Sequence, residues 1–99
     1  MTIDKKTNGS TLCAEFSGRL DTVTTPEAES VMKDGLDSYT ELKLDFAKLD
    51  YISSAGLRLL LSLQKMMNSR GGSMRIVNAN ETVKEIFEVT GFSEIMNIE

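Results

Sequence analysis

Leu42-Lys43-Leu44-Asp45-Phe46-Ala47-Lys48-Leu49-Asp50-Tyr51-Ile52-Ser53-Ser54-Ala55-Gly56-Leu57-Arg58, continued by a leucine-rich run to Ser69, is the stretch whose reading decides the fold. Its first part alternates apolar Leu42, Leu44 and Phe46 with polar residues, the period of a strand. Its last part is too long and too leucine-rich for a strand and predicts a helix from about Ala55 to Ser69. Between them, Ser53-Ser54 stands where a helix must find acceptors for its first free amides, a task that suits serine. The positive end of a helix is also a place where a phosphate on a hydroxyl is tolerated.

Working outward, Thr2–Thr7 and Ser10–Ser17 flank Asn8-Gly9, a hairpin signal. The second arm sets Leu12, Ala14 and Phe16 on one face and Thr11, Cys13 and Glu15 on the other, with Gly18 expected to end it. Thr24, with Glu27 three residues on, or Thr25, with Pro26 following, then caps a first helix. Ala28, Val31, Met32 and Leu36 give that helix its apolar face and carry it to about Ser38, with Gly35 weakening its end. On the second helix the polar stripe Ser54, Arg58, Ser62, Lys65 and Ser69 interrupts an otherwise apolar circumference. Gly71-Gly72 ends that helix, and Ser73–Val77 is a short strand. Asn78 or Asn80 caps a third helix built on Val83, Ile86, Phe87 and Val89 and stopped at Thr90-Gly91. Phe92, Ile95, Met96 and Ile98 form an apolar tail suited to one helical turn and a short strand docked on the core. The order predicts a single α/β domain over residues 1–99: an opening β-hairpin, then alternating helix and strand in a mixed sheet.

Composition narrows the chemistry. A chain of 99 residues, 40% apolar and 26% charged, can bury one core. One cysteine and no histidine exclude an internal disulfide, a cysteine-based zinc cluster and a histidine base. No run approaches a membrane span and Met1–Lys6 lacks a signal peptide's apolar core, so a cytoplasmic protein is expected, with no membrane partner. A net charge of -4 argues against nucleic acid and is compatible with a basic protein partner.

On local physics alone, Ser53 and Ser54 are helix caps. The functional alternative is a phosphoacceptor: phosphate adds about -1.5 to -2 charges at the helix start, where Arg58, one turn on, can pair with it. The fold then survives while the surface changes sign, which makes a binding switch. A serine nucleophile fits poorly, since Gly-x-Ser-x-Gly and histidine are both absent, leaving only Lys48 or Lys65 as a base. Asp21, Asp45 and Asp50 are expected near one end of the sheet, as solvated turn carboxylates or as a magnesium-holding or phospho-aspartate site resembling that of receiver domains. The second option lacks an acidic pair at the end of the first strand and the lysine after a fifth. Cys13 reads as a small strand residue and Met66-Met67 as core.

Leu42-Lys43-Leu44-Asp45-Phe46 followed by Tyr51-Ile52-Ser53-Ser54-Ala55-Gly56-Leu57 resembles the signature of anti-sigma factor antagonists of the STAS domain family. Gly18-Arg19-Leu20-Asp21 and Gly91-Phe92 resemble two further parts of it, so the resemblance spans the chain. It implies a four- to five-stranded mixed sheet flanked by helices and a partner switch without catalysis, cofactor or metal. The unmodified protein would bind an anti-sigma factor that is also a serine kinase of the histidine-kinase-like ATPase type, freeing the sigma factor. Phosphorylation would break the complex and a PP2C-type phosphatase restore it. The family's usual Asp-Ser-Ser/Thr-Gly-Leu places phosphorylation at Ser54, with Ser53 in the aspartate position and Ala55 in that of the second serine. Asp21 then corresponds to the acid close to the phosphoserine. Ser53 is the alternative acceptor, and Asp21, Ser53, Ser54, Arg58 and Ser62 are the expected partner surface. The rival expectation is a STAS scaffold, never phosphorylated, in a stress-signalling or transport complex.

Overall fold

The central strand runs further than its alternating pattern. In the computed structural model, which describes residues 1–99, the strands are β1 Thr2–Asn8, β2 Thr11–Leu20, β3 Glu41–Ile52 and β4 Ser73–Val77. The helices are α1 Thr25–Lys33, α2 Ser54–Ser69, α3 Glu81–Val89 and α4 Phe92–Ile95, with a 3-10 turn at Leu36–Ser38. The sheet order is β1-β2-β3-β4, with β1 antiparallel to β2 and the other two pairs parallel. The expected mixed α/β architecture is thus observed. A single parallel bridge between Ile76 and Ile98 begins a fifth strand at the outer edge of β4, so the tail forms the helical turn and short pairing its composition suggested.

Within β3 the buried positions are Leu42, Leu44, Phe46, Leu49 and Ile52, so the period lengthens after Phe46. The register explains this. Glu15 and Ser17 of β2 face Asp45 and Lys48, then Gly18 and Arg19 face Leu49 and Tyr51. At each shift β3 accommodates one extra residue, a bulge that returns the next apolar side chain to the core face. Gly18, at φ +102°, lies inside β2 at the second shift rather than ending the strand.

Aligned rows Leu12–Leu42–Met74 and Ala14–Leu44–Ile76 form the core face, and the helices cover it. Phe16 and Phe46 meet edge-on there, ring centres 5.3 Å apart and planes at 66°, an arrangement worth about 0.5–1.5 kcal/mol beyond burial. The opposite face is open and polar, with Asp4, Lys6, Glu15, Lys43 and Asp45 around half-buried Cys13. No helix is long and apolar enough to cross a membrane.

Several local expectations are revised. The two-residue turn is Gly9-Ser10, because Asn8 pairs with Thr11, and Gly9 at φ +62° supplies the conformation such turns need. Helix α1 ends at Lys33 instead of about Ser38: Gly35 turns left-handed at φ +72°, and buried Leu36 reaches the core from the 3-10 turn. Lys5 closes the end of α1 from β1, its Nζ donating to the carbonyls of Val31 (2.7 Å) and Asp34 (3.0 Å). Arg70, following α2, donates to the carbonyls of Leu36 and Tyr39. Asn80 caps α3, while Asn78 sits at φ +62°. Val89 and Ile95, expected to pack inward, are 78% and 59% exposed. Each ends a short helix, where the apolar stripe has rotated past the core edge.

Candidate functional site

Ser53 closes β3 and opens α2. Its extended backbone (φ -95°, ψ 176°) turns the chain, its amide donates to the Leu20 carbonyl at 2.9 Å, and its own carbonyl receives the Leu57 amide at 2.9 Å. The Ser53 hydroxyl accepts from the Gly56 amide at 3.5 Å, a long and therefore weak cap. Ser53 is half-buried and occupied in this way, whereas Ser54, one residue on, is exposed at the first helical position. Gly56 permits the tight approach: a Cβ there would stand 2.7 Å from Ile52 Cγ1 and 2.9 Å from Leu20 Cγ. The glycine lets the first turn of α2 press onto the ends of β2 and β3.

The Leu20 carbonyl is followed at once by Asp21, so the same contact brings the β2–α1 turn beside the serine pair. Asp21 organises that turn. Its Oδ1 accepts from the amides of Val23 and Thr24, each at 3.0 Å, while the Asp21 amide donates to Thr24 Oγ1 at 2.9 Å. This is a reciprocal capping box one turn earlier than the expected Thr24–Glu27 box, and the Thr25 amide already bonds the Asp21 carbonyl in helical fashion. Thr24 is consumed from both sides, since its hydroxyl also donates to the Arg19 carbonyl at 2.8 Å. The Asp21 carboxyl is held below its ordinary value, chiefly by the Thr24 amide, with the Val23 amide, the Thr24 hydroxyl and the Arg19 charge adding against partial desolvation. Asp21 is thus a fixed, ionised group.

Arg19 lies 4.5 Å over the Tyr51 ring and 3.9 Å from Asp21 Oδ2. Between α1 and α2, a shallow cleft of about 360 Å³ is lined by Thr22, Thr25, Glu29, Ala55 and Arg58 among others. Glu29 is bonded to Lys33 at 3.0 Å. Arg58 is exposed and makes no ion pair.

The expected site residues therefore divide. Asp21, Ser53 and Ser54 meet where β2 ends and α2 starts, and Arg58 borders the adjoining cleft. Ser62 is half-buried two turns along α2 and does not line that cleft. Asp45 and Asp50 do not join Asp21. Asp45 sits inside β3, facing Glu15 and Val77, with its Oδ1 accepting from the Ala47 amide and Asn78 Nδ2. Asp50 is the exposed extra residue of the second bulge. Both miss because β3 continues to Ile52, and no three of this chain's acids and cysteine gather in a metal-holding group. Val23, 85% exposed at the tip of the Asp21 turn, escaped the sequence reading; its isolation among polar residues was the available signal.

The chain is similar to the anti-sigma-B factor antagonist of Bacillus subtilis, with 24% identity over 96 residues, 97% of this chain and 88% of that protein. The fold is shared with an anti-sigma factor antagonist from Mycobacterium paratuberculosis at a TM-score of 0.87 and 20% identity, covering 98% of this chain and 83% of that one. It is shared too with SpoIIAA of Bacillus. The unphosphorylated form superposes at a TM-score of 0.85 and 18% identity, over 99% of this chain and 88% of that one. The phosphorylated form superposes at 0.76 and 17%, over 99% and 91%. Residues 2–99 match the STAS domain, and with the serine turn at its place between β3 and α2 this chain belongs to the STAS domain family.

Proposed function

We propose that this chain is an anti-sigma factor antagonist that binds its partner through the Ser53-Ser54 turn and the Asp21 turn, and is switched off by phosphorylation of Ser54. The observation that carries the reading is the division of labour between adjacent hydroxyls: Ser53 is half-buried in the cap, and Ser54 is exposed. Likeness to an anti-sigma-B factor antagonist, and to a regulator known in unphosphorylated and phosphorylated forms, supports it.

In the proposed cycle, the partner is an anti-sigma factor and serine kinase of the histidine-kinase-like ATPase type. A new bond forms between Ser54 Oγ and the γ-phosphorus of ATP as the bond to the β-phosphate oxygen breaks. ADP leaves, and the hydroxyl proton passes to a base of the kinase. The dianion arrives at the positive end of α2, which tolerates it, beside the fixed negative charge of Asp21. The domain stays folded while the docking surface becomes strongly negative. A PP2C-type phosphatase hydrolyses the ester and restores the binding form. The role of this chain is regulatory.

The test is incubation with the cognate serine kinase and ATP, followed by phosphopeptide mapping and a pull-down of the partner. Label on Ser54, with release of the partner, is expected. Label on Ser53 alone overturns the assignment, and recovery of a scaffold assembly with no label at either serine favours the rival STAS scaffold.

A further inference from the structure

The serine turn has few groups left to answer a new dianion. Of the first amides of α2, Gly56 N is already given to Ser53 Oγ and Leu57 N to the Ser53 carbonyl, which leaves the Ser54 and Ala55 amides as the dianion's backbone donors. Asp21, in the turn tied to Ser53 through the Leu20 carbonyl, is ionised and fixed by the Val23 and Thr24 amides, so it offers a phosphate no favourable partner. The neighbouring cations are mostly engaged: Arg19 lies over Tyr51 and faces Asp21, and Lys33 is bonded to Glu29. Arg58 is exposed and without an ion pair; Lys65 is too, but lies about two turns further along α2. It lies four residues after Ser54 in the same helix, a spacing that sets Cβ atoms about 5–6 Å apart. A guanidinium presents paired N–H donors that match phosphate oxygens.

Resting on Ser54 as the phosphoacceptor, we infer that Arg58 is the intramolecular counter-charge of phosphoserine 54. It serves two states of one switch. In the unmodified chain its cation is displayed in the cleft between α1 and α2, open to an acidic side chain of the partner. In the modified chain it folds back onto the phosphate and leaves the cleft. Phosphorylation then adds negative charge at Ser54 and also withdraws the one unpaired cation beside it.

Phosphoserine is installed at position 54 of the full chain by site-specific incorporation, with no kinase involved, in the parent sequence and in Arg58→Gln. Lys65→Gln, further along the same stripe, is the control. The second phosphate ionisation is followed by phosphorus NMR and the Arg58 Nε–H resonance by nitrogen-edited NMR. The parent phosphate is expected to ionise at lower pH than that of Arg58→Gln by about 0.3 unit or more. Lys65→Gln should titrate as the parent does, and the Arg58 Nε–H resonance should move when phosphoserine is present. Equal titration in parent and Arg58→Gln, or an Arg58 resonance blind to the phosphate, overturns the inference. Failure of kinases to label Ser54 would sink the functional reading alone, because the titration of installed phosphoserine involves no kinase and still decides whether Arg58 pairs with it.

Discussion

The Ser53 amide donates to the Leu20 carbonyl at 2.9 Å, and this one bond couples the end of β2 to the start of α2. Through it two turns distant in sequence, one ordered by Asp21 and one carrying Ser54, become a single surface. The bond lies at the end of a parallel strand pair whose register is adjusted by two bulges, so the geometry at Ser53 depends on the whole length of β3.

Gly56→Ala should lower stability without changing the chemistry of either serine. The added Cβ would stand 2.7 Å from Ile52 and 2.9 Å from Leu20, both fully buried, so neither side chain can yield freely. Overpacking of this kind costs about 1–3 kcal/mol, and for a domain of this size each kcal/mol lowers Tm by roughly 4–8 °C. Thermal denaturation followed by circular dichroism checks it. An unchanged Tm would show that the helix start has room to shift.

The two serines should separate in stability as well as in modification. Ser53→Ala removes the cap to Gly56 N, and because that bond is long the cost should lie near the lower end of about 0.5–2 kcal/mol. Ser54→Ala, at an exposed position, should stay within about 0.5 kcal/mol of the parent. It should fold, bind the partner and resist phosphorylation, while Ser54→Asp should bind poorly. Urea denaturation and partner pull-down measure the two halves.

Asp21 should leave a signature in acid. Its folded carboxyl ionises below the ordinary value of 3.8, so folding favours the charged form. The resulting stabilisation is complete above that value and is lost as pH falls through the lower folded value. Asp21→Asn should therefore show a flatter loss of stability below about pH 4 than the parent. Urea midpoints across the acid range test this; parallel curves would mean the Asp21 turn contributes no proton linkage.

Asn80→Ala should cost about 1–2 kcal/mol, since it removes two roles of one side chain. Asn80 Oδ1 accepts from the Val83 amide at 2.8 Å, and Nδ2 donates to the Leu49 carbonyl at 3.0 Å. Asn80→Asp retains the cap and loses the donor, and its denaturant midpoint should fall between those of the parent and Asn80→Ala. That ordering would separate the helix cap from the tie to β3.

Much of this arrangement was legible in the residues themselves. Of the α2 stripe Ser54, Arg58, Ser62, Lys65 and Ser69, all but half-buried Ser62 are exposed as the spacing predicted, and helix α2 begins within one residue of the expected start. Periodicity reports such features because a helix repeats the same geometry at every turn. The misplaced strand features are those set by pairing between distant segments. The turn at Gly9-Ser10 follows from the β1–β2 register, and the extension of β3 through Asp50 follows from bulges visible only against β2. Asp45 and Asp50 seemed free loop acids because nothing local says that a strand continues past Phe46.

Sequence alone determined the order of elements, the strand-to-helix serine turn and its family, because each is written in neighbouring residues: alternation, helical spacing, caps and a contiguous motif. Tertiary structure decided which serine is occupied and which is exposed, why Gly56 must be small, and that the Asp21 turn is tied to the serine turn through the Leu20 carbonyl. Those outcomes depend on how closely β2, β3 and α2 approach one another, a distance fixed by packing and register across the sheet.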